Sequence, residues 1–215
     1  LEAADIPFPK GARAYFNAKA WTTFTITNIW GSPPHSTGTR STSSGWLCHP
    51  LWNHYDFTQD KAYLRNIYPI INGAAEFYLS ALVKDPAKGW LVMAPSVSPE
   101  NQFRLPNGKT TSFCVGPTID NQIIRHLFSH FIRASELLKT DVSFRKEIEK
   151  ARAQLPPNQI DRNGRLMEWL EPYEEADPHH RHVSPLWGLY PGNEITPAGT
   201  PALAASALCH SKAVA

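Results

Sequence analysis

Cysteine, like-charge clusters and long apolar runs are all scarce in this chain, and each shortage excludes something. Its 215 residues hold three cysteines, Cys48, Cys114 and Cys209. An odd count without metal-like spacing speaks against a disulfide scaffold or a cysteine zinc site, and leaves three thiols with at most one bridge. There is no Asn-x-Ser/Thr sequon, so the compartment stays open. The formal net charge is only +2, and no run of Lys or Arg forms a patch. No nucleic-acid partner and no membrane partner is therefore expected. The longest apolar runs, such as 73–83, are too short and too interrupted to span a bilayer. No signal peptide or lipidation motif is visible; because the chain opens on Leu1 rather than Met, processing or truncation is expected and the missing signal says little. No internal repeat is found, which disfavours a regular solenoid. What is present is core material: 42% hydrophobic and 11% aromatic residues, enough to exclude general disorder. The length suits one large domain or part of a bigger one.

The apolar residues recur mainly at helical spacing. Trp46, Leu47, Leu51, Trp52 and Tyr55 predict a helix over 45–58, with Pro50 either kinking it or marking its start. A long amphipathic segment follows over 60–83, in which Pro69 is expected to kink or interrupt the helix. The clearest pattern is 118–138, where Ile119, Ile123, Ile124, Leu127, Phe128, Phe131 and Ile132 recur at three and four, with Thr118 as N-cap behind Pro117. Another helix is expected over 141–155, stopped by Pro156-Pro157, and a last one from about Pro201 through Leu208. Strand signals are short, at 22–26 and 90–93. Between these elements lie long polar or proline-rich connections at 31–45, 95–117, 156–166 and 171–200, and loops of that length in a compact domain are usually functional or disordered. Helical hairpins joined by such connections describe an all-α fold of the α/α-barrel or helical-solenoid kind.

The polar residues of interest sit in those connections. Ser98-Pro99-Glu100-Asn101 places a carboxylate on a turn bounded by Pro95 and Pro99, just past the apolar 89–94 segment. A glutamate held on a rigid turn beside apolar residues is a candidate proton donor, because partial desolvation raises its pKa toward neutrality. The plainer reading is a solvated turn carboxylate. A second constellation runs over 168–182, where Glu168, Trp169, Glu171, Tyr173, Glu174, Glu175, Asp177, His179, His180, Arg181 and His182 are interrupted by Pro172 and Pro178. Flat rings stack on the C–H faces of sugars, and planar charged groups bind hydroxyl pairs in a forked geometry, so the composition points to a carbohydrate site. His179, His180 and His182 do not have the i, i+4 spacing of a helical zinc site, and Arg181 stands between them; no metal is expected there. Trp46, Trp52 and Trp90 read as core residues rather than ligand contacts, and Asp120 as a first-turn carboxylate favoured by the helix dipole.

Several longer motifs carry a more specific message. Thr27-Asn28-Ile29-Trp30-Gly31 is followed by Gly45-Trp46-Leu47-Cys48, Leu51-Trp52-Asn53-His54-Tyr55-Asp56-Phe57-Thr58, Ala94-Pro95-Ser96 and Ser98-Pro99-Glu100-Asn101. Then come Thr118-Ile119-Asp120-Asn121-Gln122-Ile123-Ile124-Arg125, Glu168-Trp169-Leu170-Glu171, Arg181-His182 and Gly188-Leu189-Tyr190-Pro191-Gly192-Asn193. In this order, from about residue 11 to residue 200, they resemble the catalytic domain of glycoside hydrolase family 95. These are α-L-fucosidases that cleave terminal α-1,2-linked fucose, with a few relatives acting on α-L-galactosides. The resemblance implies part of an (α/α)6 barrel and hydrolysis with inversion. It implies Glu100 as general acid, Arg181 and His182 as sugar contacts, and Trp30 near the sugar. It also implies a fucosylated oligosaccharide or glycan as partner, no cofactor, and an extracellular or secreted setting.

The same resemblance removes something. The family's base is an aspartate in an Ile-Asp-Gly-Asn-Phe-Gly segment, polarised by an Asn-x-Asn pair before a Met-Asn-Tyr-Trp segment, and neither segment occurs in this sequence. The expectation is therefore a single partial catalytic domain over 1–215, truncated at both ends, holding the acid without the base, with about 206–215 departing from the family. Pro185 replaces a usual histidine after Ser184, and Pro50 another in the 45–58 helix. Asp177 is a weaker in-chain candidate for the base. The alternative function is a non-catalytic carbohydrate-binding or structural helical domain derived from such a barrel; another α/α-barrel glycosidase or lyase would need a different acid.

Overall fold

A computed structural model describes residues 12–13, 16–23 and 42–214. Trp30 and most of the strand expected at 22–26 lie outside these residues; Thr22 and Thr23 are buried and belong to no strand. Among the described residues the fold class is all-α. The elements are α1 (Ser43–Thr58), α2 (Lys61–Ala81), α3 (Thr118–Leu138), α4 (Val142–Arg152) and α5 (Pro201–Val214), with strands of two residues each. No described helix is long and apolar enough to cross a membrane. The chain divides into two compact units, one formed by 1–82 and 127–153, the other by 83–126 and 154–215.

In the first unit, α1 runs through Pro50 instead of starting there. Its buried face is made of Ser44, Gly45, Cys48, His49, Trp52 and Tyr55, whereas Trp46 and Leu47 are 45% and 51% exposed. The core reading of Trp46 is therefore corrected, and the reason is close packing. Small residues face α2, so that the Ser44 hydroxyl and the Gly45 N–H both donate to the Tyr78 hydroxyl, at 3.2 and 3.1 Å. Trp52 does enter the core, stacked on His130 with centroids 4.4 Å apart.

Helix α2 begins at an N-cap, Asp60, whose Oδ1 accepts from Ala62 N–H (2.7 Å) and Tyr63 N–H (3.2 Å). Such a cap is worth about 0.5–2 kcal/mol. Pro69 does not interrupt the helix, because the apolar face of Leu64, Ile67, Ile71, Ala74, Ala75 and Tyr78 is buried on both sides of it. Gly73 leaves room for the Trp21 ring, where an added Cβ would lie 2.7 Å from Trp21 Cδ1. Helix α4 is shorter than expected, ending at Arg152. Asp141 precedes it and accepts from the Tyr68 hydroxyl at 2.7 Å.

In the second unit the connection 95–117 is not structureless. Ser96–Val97 (β3) pairs antiparallel with Phe113–Cys114 (β6), and Phe103–Arg104 (β4) with Thr110–Thr111 (β5) nested between them. The apolar segment supplies Leu91–Val92 (β2), paired with Val83–Lys84 (β1). Between Pro95 and Pro99 the ladder is confined to two of the three residues, Ser96 and Val97. Trp90 is half-buried with Lys88 Nζ 5.2 Å from its ring centroid. Helix α5 packs Ala207, Leu203 and Ala204 against Leu166, Leu186 and Ile195, and extends past Leu208 to Val214.

Candidate active site

The turn Ser98-Pro99-Glu100-Asn101 follows β3 and closes on itself with Asn101 N–H donating to Ser98 O at 3.1 Å. Three of its residues are then tied to the far constellation. The Ser98 hydroxyl donates to the Glu168 carboxyl. The Ser184 hydroxyl donates to Pro99 O at 3.0 Å, and the Glu100 N–H donates to His182 Nδ1 at 3.4 Å. The Glu100 carboxylate pairs with the Arg181 guanidinium. The chain continues this pairing: Ala176 N–H donates to Gln102 O (2.9 Å) and Arg104 N–H to Glu174 O (2.8 Å). Phe103 stacks on Tyr173 at 4.0 Å and meets Trp169 edge-on at 5.3 Å. Two segments far apart in sequence thus form one surface bearing a carboxylate, a guanidinium and an imidazole.

Behind this surface α3 supplies anchors. Thr118 opens the helix without capping it, since its hydroxyl donates to Met167 O at 2.5 Å and its N–H to Glu168 O at 3.1 Å. Asp120, 1% exposed, accepts from the Ser96 hydroxyl at 2.5 Å and so ties β3 to the helix start. Gln122, wholly buried, donates to Pro185 O (2.8 Å) and accepts from Gly188 N–H (2.9 Å). Pro185 sits in the first turn of a short 3-10 helix, Ser184–Gly188, where a missing N–H breaks no helical bond. The histidine-to-proline difference there leaves the local chain intact.

Glu100 and Arg181 are both exposed, with side chains 48% and 71% accessible, and His182 is half-buried. The desolvation that the sequence suggested for Glu100 is not supplied by the described residues. Neither Asp177 nor Glu175 takes Arg181: Asp177 caps its own loop by accepting from His179 N–H at 3.0 Å, and Glu175 faces Arg165 at 3.5 Å. A cavity of about 760 Å³ opens along 159–178, with Lys88, Arg165, Tyr173 and Glu175 in its wall, but Glu100, Arg181 and His182 do not line it. All three thiols are free, and burial pushes those of Cys48 and Cys114 up to about 12, so both are inert.

The residue that the sequence shows only as one acid among those of 168–182, with no role of its own, is Glu168. It is 6% exposed, and among the described residues its carboxyl has one hydrogen-bonding side chain, Ser98. Burial pushes its pKa from 4.5 to about 8, with the Ser98 hydrogen bond opposing and the charge of Glu175 adding to the rise. The signal in the sequence was an acid set inside Leu166-Met167-Glu168-Trp169-Leu170, apolar on both sides. A stability effect follows. Unfolded, this carboxyl ionises near 4.5, and folded it keeps its proton to about 8. The stability it contributes is complete below pH 4.5 and is lost as pH rises to about 8. Denaturant midpoints measured across that window are expected to fall in the parent protein and to fall much less in Glu168→Gln. Parallel profiles would show that Glu168 does not carry the slope.

The model of the glycosyl hydrolase family 95 catalytic domain matches residues 2–210. An alpha-L-fucosidase 2 of Arabidopsis thaliana is 37% identical over 211 residues, which are 95% of this chain and 25% of that protein. A probable alpha-fucosidase A of Aspergillus niger is 33% identical over 206 residues, 90% of this chain and 25% of its own length. The chain thus spans about a quarter of the length of the relatives it matches.

Proposed function

Because the chain belongs to glycosyl hydrolase family 95, we propose that it is the acid-bearing part of a glycosidase catalytic domain that releases terminal α-1,2-linked L-fucose from oligosaccharides or glycans with inversion. The single observation that supports this most is the joining of Glu100 to Arg181 and His182 on one exposed surface. In this reading Glu100 protonates the leaving glycosidic oxygen, while Arg181 and His182 bind sugar hydroxyls with the forked guanidinium and the ring. Trp30, outside the described residues, is proposed to lie near the sugar. Inversion needs a second carboxylate about 6.5–9.5 Å from the acid to activate water. We assign that base to sequence not contained in these 215 residues, so the chain alone is proposed to be inactive and its extent to be one partial domain. The exposure of Glu100 and Arg181 also suits a second reading, a non-catalytic sugar-binding domain derived from such a barrel.

One experiment separates these. The full-length protein that carries this segment is given an α-1,2-fucosylated oligosaccharide, and the released sugar is followed by proton NMR. First appearance of β-L-fucose supports inversion, α-L-fucose refutes it, and no release at all favours the binding domain. Release by the folded 215-residue chain itself would place a base within it and return Asp177 to consideration.

A further inference from the structure

We propose that Glu168 is a positioning residue for the acid: its buried carboxyl receives the Ser98 hydroxyl and thereby fixes the turn that carries Glu100. The inference rests on the reading of Glu100 as the proton donor and extends it to a residue that touches no substrate.

Three observations carry it. First, Glu168 is a carboxyl 6% exposed with no cation paired to it among the described residues, a costly thing to bury without a purpose. The titratable groups that face it are Glu175 and Cys114, and Glu175 is turned to Arg165. Second, its one side-chain partner is the first residue of the acid turn, two positions from Glu100. Third, Glu168 is itself fixed from behind, because its carbonyl accepts Thr118 N–H at 3.1 Å at the start of α3. A rigid helix start therefore holds Glu168, Glu168 holds Ser98, and Ser98 begins the turn. The remaining ties, Ser184 to Pro99 O and His182 to the Glu100 N–H, come from the sugar-binding segment and are more exposed. Burial that keeps this carboxyl protonated up to about pH 8 makes it a neutral acceptor, so it holds the turn without setting a second negative charge beside the acid.

A residue that aims an acid has a kinetic signature that a merely structural one lacks. Protonation of the leaving group matters greatly for an oligosaccharide and little for α-L-fucosyl fluoride, whose leaving group departs unaided. In the full-length protein, Glu168→Leu is expected to slow the oligosaccharide by about 10²-fold, the scale of a misplaced catalytic group, and to leave the fluoride nearly untouched. Glu168→Gln offers an amide oxygen to the same hydroxyl, and its loss is expected to be at most about tenfold, within one lost neutral hydrogen bond. Ser98→Ala, which removes the same link from the side of the turn, is expected to copy Glu168→Leu, and the double variant to be no worse than either. This serine variant keeps the test open if Glu168→Leu fails to fold. Equal losses on both substrates would overturn the proposal, since the effect would then be on folding. A Glu168→Gln as damaging as Glu168→Leu would also overturn it, by showing that the charge itself is used. Glu100→Gln is the reference. If it shows no leaving-group dependence, the acid assignment falls and this inference falls with it. If it does while Glu168→Leu and Ser98→Ala do not, only the positioning role is lost.

Discussion

In the full-length protein, if Glu100 is the general acid as proposed, its replacement by glutamine is expected to slow release of fucose from an unactivated glycan by about 10²–10⁴-fold, the range contributed by a positioned general acid. Glutamine keeps the size of the side chain and can still receive a hydrogen bond from Arg181, so the turn should survive. Its backbone ties do not depend on the side chain at all: Glu100 N–H reaches His182, Pro99 O receives Ser184, and Ser98 holds Glu168. On the proposed reading, what is removed is the transferable proton. The loss should therefore appear in kcat far more than in KM, because the missing interaction belongs to bond cleavage and not to binding. Arg181→Ala makes the contrast, being expected to raise KM as well if Arg181 binds the sugar through the forked contact proposed for it. Turnover of Glu100→Gln within a few-fold of the parent on the glycan would remove this carboxylate from the reaction and leave the solvated-turn reading standing.

Helix α3 was legible end to end, Thr118 to Leu138, because an unbroken three-and-four apolar period over that length has only one regular solution. At both proline sites the helix continues rather than starting or breaking there. Pro50 and Pro69 each remove one helical hydrogen bond, a cost of about 3 kcal/mol against alanine, yet both lie in helices whose flanking turns are buried. Tertiary burial outweighs that local cost, and a single sequence shows only the cost. In α1 the period runs through five large apolar residues, of which the buried face takes Trp52 and Tyr55 but not Trp46 or Leu47; it is completed by Ser44, Gly45, Cys48 and His49, the first two bonded to Tyr78. The hairpins inside 95–117 gave no signal because strands of two residues have no measurable alternation. At the site, the two polar constellations were visible as separate stretches, and their meeting was not. It depends on backbone pairing between 102–104 and 174–176, which carries no side-chain pattern. The burial of Glu168 was hidden for a related reason: a charged residue in an apolar run reads as a surface position unless its partner across the fold is known.

That meeting of segments rests on aromatic burial, and Trp169→Ala is expected to cost about 3–5 kcal/mol of unfolding free energy, the usual range for emptying a large aromatic site. Trp169 is 2% exposed and clusters with Phe103 and Cys114, with Leu105 packed alongside. Phe103 is in turn stacked on Tyr173, so one indole joins the strand after the acid turn to the segment after Glu168. Trp169→Phe discriminates between shape and chemistry. It keeps an aromatic edge toward Phe103 and removes an indole N–H that is buried without a hydrogen-bond partner, a group whose burial costs about 1–3 kcal/mol. Lost volume and relieved desolvation then oppose each other, and the phenylalanine variant should retain most of the stability that alanine loses. Urea unfolding of the three proteins measures this directly. A loss below about 1 kcal/mol for alanine, the level of an ordinary surface change, would mean that the backbone pairing of 102–104 with 174–176 holds the two segments without the aromatic cluster. In that case the acid turn and the Arg181–His182 segment would be joined by hydrogen bonds alone, and Ser184→Ala, which cuts the tie to Pro99 O, should then weaken the site more than any aromatic change.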